Sequence, residues 1–208
     1  MAPVAILTGD LIASTAAPDG GAAALAILAD TAKDLGAWAG QPARFTRFRG
    51  DGWQMLLATP GLSLRAALLI AARLAAAQAT PTRLAIGFGT MDHPGTTDLS
   101  DARGSAFAAS GRALDHLPRG RHWALAGGTE WQSAFLALAE WQATGWTPEQ
   151  AQAMALALPP DPGRQSDLAA RLGITRQAFA ARLSGAGRAA WDPALRAFET
   201  APFPEARA

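Results

Sequence analysis

The chain of 208 residues has no cysteine. That removes disulfides, thiolate metal centres and a cysteine nucleophile in one step. Its three histidines (His93, His116 and His122) are too few and too scattered for an ordinary zinc site. Charge is nearly balanced, with a formal net of +1, so any attraction to nucleic acid or to a membrane surface has to come from a local patch. No apolar run reaches the roughly 18–20 residues of a membrane span. The nearest, 62–78, is interrupted by Arg65 and Arg73. The opening Met-Ala-Pro-Val leads directly into a strand-like run, without the basic region and long apolar core of a signal peptide. These absences predict a cytoplasmic protein with no membrane partner. What is abundant is hydrophobic side chain, 50% of the residues, enough for a sizeable core and too much for wholesale disorder.

Two short stretches share one pattern. Leu7-Thr8-Gly9-Asp10-Leu11-Ile12-Ala13-Ser14-Thr15 and Arg47-Phe48-Arg49-Gly50-Asp51-Gly52-Trp53-Gln54 each set an aspartate beside a glycine, against an apolar run that reads as a strand. Two readings are open. Gly-Asp and Asp-Gly are ordinary turn chemistry, which makes both acids turn formers. Alternatively the two carboxylates meet, and flanking glycines let a ligand approach. Paired carboxylates suit a hard cation carrying phosphates.

Order along the chain favours a meeting. Residues 4–7 form a short apolar strand ending at Gly9-Asp10, and 22–38 place Leu25, Leu28, Ala32, Leu35 and Trp38 on one helical face. Pro42 closes that connection, and 44–49 with 53–57 read as a hairpin carrying Asp51 at its tip. A helix over 62–79 with its arginines outward, a strand over 82–89, a helix over 104–116 and a strand over 122–125 follow. The fold class expected is therefore α+β. It starts as a ferredoxin-like βαββαβ core, an antiparallel sheet with helices on one face, spanning 1–127. Asp10 and Asp51 then end on neighbouring central strands.

Residues 128–208 read as all-helical. Within them, 165–184 have the layout of a helix-turn-helix: small Ala169 for a close crossing, Gly173 in the turn, and Ile174, Phe179 and Leu183 packing the pair. Thr175 caps the second helix, and Arg176, Gln177 and Arg182 are expected on its exposed face, where DNA phosphates or bases are met. An ordinary helical hairpin accounts for the same pattern. Most of the tryptophans (Trp38, Trp53, Trp131, Trp141, Trp146 and Trp191) are expected in the core.

With these residues in view, the first ~125 residues resemble the palm domain of the class III nucleotide cyclases. The whole layout is similar to the SatD-like family, in which a cyclase-like palm precedes a C-terminal helix-turn-helix. The resemblance rests on 8–15, on Gly50-Asp51-Gly52, on Ala85-Ile86-Gly87-Phe88-Gly89, and on the helix opening Gly104-Ser105-Ala106-Phe107 and running through Ala109 and Arg112. It implies binding of a nucleoside triphosphate through two Mg²⁺ ions bridged by Asp10 and Asp51, with a backbone carbonyl of Leu11 or Ile12 as a further ligand. Amides of the turn from Ile12 through Ser14 and Thr15 would receive phosphates, and Arg112 would be the transition-state arginine. The sequence also departs from the cyclase pattern. Arg47 stands where the base-reading lysine is expected, and Ala108 stands in place of the asparagine one turn before Arg112. Losing such a transition-state group typically lowers the rate about a hundredfold or more.

Three functions follow from this reading: a nucleotide-sensing, DNA-binding regulator; an active nucleotidyl cyclase or nucleotidyltransferase; and an inert scaffold. The first accounts for both halves of the chain and tolerates the missing catalytic groups. A homodimer is expected with it, since cyclase-like palms and helix-turn-helix proteins both generally work in pairs.

Overall fold

The computed structural model describes residues 2–41, 44–48 and 50–203. Pro42 and Arg49, used above as a break and as a hairpin charge, lie outside them. The longest strands are β1 (Val4–Leu11), at the centre of the sheet, and β4 (Thr82–Gly89), beside it. Between them come α1 (Ala22–Trp38), β2 (Phe45–Arg47), β3 (Gly52–Leu57) and α2 (Ser63–Ala76), and after them α3 (Ser105–Asp115) and β5 (Trp123–Ala126). The sheet order is β2-β3-β1-β4-β5. Strand β1 is antiparallel to β3 and β4, and β2 to β3. Strand β5 is parallel to β4, as a crossover through a helix such as α3 allows. The fold is therefore α+β as expected, but its sheet is mixed rather than wholly antiparallel.

The helices also occupy both faces, which corrects the one-faced expectation. Side chains alternate along a strand. Ala5, Leu7 and Leu11 join Trp53, Met55 and Leu57 against α1 and α2. Val4 and Ile6 turn the other way, to Leu56 and to Ala106 of α3. Helix α3 approaches closely because Gly87 has no side chain; a Cβ there would overlap the Ala106 carbonyl and the Ser110 amide.

Five more helices follow: α4 (Glu130–Thr144), α5 (Pro148–Ala157), α6 (Gln165–Arg171), α7 (Arg176–Gly185) and α8 (Arg188–Glu199). Thr129 and Thr147 open α4 and α5 with capping boxes completed by Gln132 and Gln150, which satisfy otherwise orphaned amides. The hydrophobic cluster that begins on β1 continues without a break through these helices to Phe198. Helix α2 is buried over nearly all its surface, from Leu64 to Leu74, the mark of a helix inside a core. Its Arg65 is buried too, contrary to the outward placement expected of it. Arg65 Nε donates to Glu199 Oε1 at 2.6 Å and its NH1 to the Leu158 carbonyl at 2.5 Å, tying the last helix to the centre. Arg73 is likewise engaged, with Asp34 and with Thr31 of α1. Trp53, Trp123, Trp146 and Trp191 are buried, whereas Trp131 and Trp141 are exposed. Among the described residues, no helix is long and apolar enough to cross a membrane.

Candidate functional site

Asp10 sits next to the end of β1, directly opposite Gly52 of β3 and Arg83 of β4. Residues opposite one another in an antiparallel pair share a face, so Asp10 projects on the α3 side of the sheet with Thr8 and Gln54. Asp51 lies in the β2–β3 turn. Both acids line one open cleft of about 410 Å³ with Thr8, Phe48, Gly52, Gln54 and, from α3, Leu114. The two acids therefore line one cleft, the arrangement that the strand order favoured.

The floor of that cleft is set from the opposite side. Thr82 Oγ1 accepts from the indole of buried Trp53 at 2.9 Å and lies 2.7 Å from the Asp10 carbonyl oxygen. The Asp10 backbone is thus tied to the core. Gly9 and Gly52, alike in sequence, do different jobs. A Cβ on Gly9 would stand 2.5 Å from Trp53 Cζ2 and collide with the Arg83 carbonyl, so this glycine makes room for the indole. The expectation that it clears space for a ligand is corrected. A Cβ on Gly52 would meet nothing closer than Phe48 Cβ at 3.6 Å, and this glycine does leave space in the cleft.

Neither carboxylate is free. Arg83 Nε donates to Asp10 Oδ1 at 2.7 Å, and its NH2 donates to Oδ2, a two-pronged ion pair. Hydrogen bonding to Asp10 pushes the guanidinium still further above its ordinary pKa, against desolvation, and Asp51 and Asp115 add to the rise. Asp51 accepts from Ser14 Oγ at 2.5 Å. Two carboxylates against one guanidinium leave the site net negative. Thr8 Oγ1 lies 2.7 Å from Ser110 Oγ of α3 and accepts from Gln54 Nε2 at 3.3 Å, so α3 is pinned beside the acids.

The remaining predicted residues are placed as follows. Leu11 is buried against Gly21. The Ile12 amide donates to the Pro81 carbonyl at 2.8 Å and is already spent, and the Ile12 side chain lines an apolar crevice on the α2 side. Ala13 adopts a left-handed conformation (φ 55°) that turns the chain into a short 3-10 turn over Ser14–Ala16. There Ser14 reaches Asp51, and Thr15 is exposed. Arg47 stands opposite Trp53 in the β2–β3 register, on the face away from Asp10, and among the described residues its guanidinium makes long contacts of 3.4 Å to the Gly50 carbonyl. Arg112 is exposed. Two residues beyond Ser110, it points about 200° around α3 from the side chain that meets Thr8, outside the cleft lining.

Mg²⁺ fits this donor set on one condition. Asp10 and Asp51 offer hard oxygens in one cleft, but among the described residues no three acidic, histidine or cysteine side chains gather. Mg²⁺ commonly takes one or two carboxylates and completes its shell with water and phosphate. The residues suit an ion that arrives with a phosphate chain. Arg83 and Phe48 were missed as site residues. The cross-strand opposition of Arg83 to Asp10 depends on register, which the strand pattern alone leaves open.

In the helical region, Gly173 (φ 65°) makes the turn between α6 and α7, and Thr175 Oγ1 accepts from the Ala178 amide at 3.1 Å, capping α7. Leu168, Ala169, Phe179 and Leu183 are buried at the crossing. Arg176 and Gln177 are exposed. Arg182 is not on the open face expected of it; it is partly buried and donates to Gln152 Oε1 of α5 at 3.3 Å. Compared with protein-family models, curated proteins and solved structures, the chain finds no match.

Proposed function

We infer that the protein is a nucleotide-responsive regulator whose cleft at Asp10 and Asp51 takes a nucleoside triphosphate with Mg²⁺. The observation that carries this reading is the convergence of the two acids, 41 positions apart in the chain (51 − 10), on one open cleft beside the central strand. The antiparallel order β2-β3-β1-β4, with its β-α-β-β-α-β succession, supports a ferredoxin-like, cyclase-like palm. Ser14 and the turn after β1 stand at the edge where phosphates would lie, and Phe48, 36% exposed, offers a ring for a base. Binding is favoured over turnover because Arg112 and Arg47 point away from the acids.

The α6–α7 pair supports the second half of the proposal, contact with double-stranded DNA through Arg176, Gln177 and the capped start of α7 at Thr175. Arg182, held by Gln152, contributes to packing. A homodimer would pair two such helices on adjacent half-sites.

Thermal melting tests the reading. Mg²⁺ with ATP or GTP raises the melting temperature of the wild type and leaves Asp10→Ala/Asp51→Ala unmoved. Equal behaviour of the two proteins reduces both acids to turn formers. Release of pyrophosphate would move the protein to the nucleotidyl cyclase class. Duplex binding that weakens steeply with salt supports the DNA contact, and salt-independent or absent binding removes it.

A further inference from the structure

Arg83 has no role in the reading above, yet it makes the closest polar contacts to the acid on which that reading depends. It projects from β4 on the same face as Asp10 and pairs with both carboxylate oxygens. Among the described residues, Arg83 is the arginine that contacts either acid, standing beside the cleft through its pair with Asp10; Arg47 and Arg112 are turned elsewhere. A divalent cation on Asp10 and the guanidinium of Arg83 compete for the same two oxygens. The pair is open to solvent on one side, with side-chain exposures of 45% for Arg83 and 25% for Asp10, so a competing cation can reach it. It can therefore be exchanged.

Resting on the Mg²⁺–nucleotide reading of the cleft, the geometry points to Arg83 as an exchange arginine that makes metal binding conditional on phosphate. Without a ligand the guanidinium neutralises Asp10, and bare divalent cations bind weakly. When the cation arrives with a triphosphate, Asp10 passes from the guanidinium to the metal, and Arg83 is released beside the incoming negative charge. The fork that held two carboxylate oxygens is suited to holding two phosphate oxygens. The trade keeps charge balanced: one cation leaves Asp10 as another takes it, and the freed guanidinium meets the anion that came with the metal. Arg83 is a specificity-determining residue in this scheme, selecting the metal–phosphate complex over either part alone.

The test compares wild type, Arg83→Gln, Arg83→Lys and Asp10→Asn by calorimetric titration, first with Mn²⁺ alone and then with Mg²⁺ and ATP or GTP. Exchange predicts changes of opposite sign in Arg83→Gln. Its affinity for Mn²⁺ alone rises about fivefold, the scale of one exposed ion pair. Its affinity for the Mg²⁺–nucleotide complex falls about tenfold, the scale of a lost charge-assisted contact. Arg83→Lys, which keeps the charge without the fork, falls between and guards against a folding defect in the glutamine variant. If both affinities stay unchanged in Arg83→Gln, or both move the same way, the exchange is overturned. Should the wild type bind Mg²⁺–nucleotide and Asp10→Asn lose it, the cleft reading survives that result. If no protein binds the complex, both readings fall.

Discussion

The two faces of the central sheet are built from the same strands and do opposite things. On one, Leu7, Trp53, Met55 and Leu57 vanish into a core continued by α1 and α2. On the other, the apolar patch around Val4, Ile6 and Ala106 is small, and toward the end of β1 it gives way to Thr8, Gln54 and Asp10. The change occurs within adjacent residues: Gly9 belongs to the packed face and Asp10 to the open one. A rigid core behind a polar edge lets charged groups be held in place without being buried. Binding groups placed on such an edge keep access to solvent and ligand, while their backbone inherits the order of the core.

The sharpest contrast is Trp53. Truncating it to alanine empties a fully buried indole site and removes the donor to Thr82 Oγ1. Trp53→Ala is expected to lose about 3–5 kcal/mol of stability, read by urea denaturation. It should also blunt the nucleotide-dependent melting shift, because Thr82, which holds the Asp10 carbonyl, loses its anchor to the indole. A well-folded Trp53→Ala protein with an undiminished shift would uncouple the two faces.

The two glycines come next. Gly9→Ala puts a methyl into the indole and a backbone carbonyl and is expected to cost about 1–3 kcal/mol or more, the range for overpacking. Gly52→Ala, with its nearest neighbour at 3.6 Å, is expected to stay within about 0.5 kcal/mol while weakening binding in the cleft. Equal losses of stability in the two variants would erase the distinction between a packing glycine and a space-leaving one.

How much of this was readable in advance follows the same divide. Period-two and period-3.6 patterns mark β1, α1, the β2–β3 hairpin and α2, and their order brings Asp10 and Asp51 to one edge. Register is another matter. Whether Arg83 or Leu84 stands opposite Asp10 is a one-residue choice that strand composition does not decide. The same choice turns Arg47 toward Trp53 and away from the acids. Burial of Arg65 depends on Glu199, 134 residues away, and no local pattern announces a partner so distant. The packing of α3 on the second face rests on Gly87, which the sequence shows only as a glycine within a strand and the fold shows as the point where the helix comes close.

A smaller effect is expected where α3 meets the polar face. Ser110→Ala removes a hydroxyl that is fully buried and lies 2.7 Å from Thr8 Oγ1, at an expected cost of about 1 kcal/mol. Because Gln54 also donates to Thr8, Thr8 keeps one partner and the helix stays seated. A double-mutant cycle with Thr8→Val measures the coupling directly. Strict additivity would mean that the two hydroxyls are neighbours without a shared bond.

The least change of all is expected from Arg47 and Arg112, the two arginines that the sequence suggested for contact with a nucleotide. Arg47 shares its sheet face with Trp53, and Arg112 points away from Ser110 into solvent. Arg47→Ala and Arg112→Ala should each leave stability within about 0.5 kcal/mol of the wild type, with the Mg²⁺–nucleotide melting shift unaltered. Arg83→Gln, on the Asp10 side, should alter that shift under the same conditions. Such a ranking would place recognition on the open face of the sheet, around the acids. A large loss in Arg112→Ala would instead require α3 to rotate by about half a turn when ligand binds, and Ser110→Ala, by freeing the helix, would then strengthen binding rather than leave it alone.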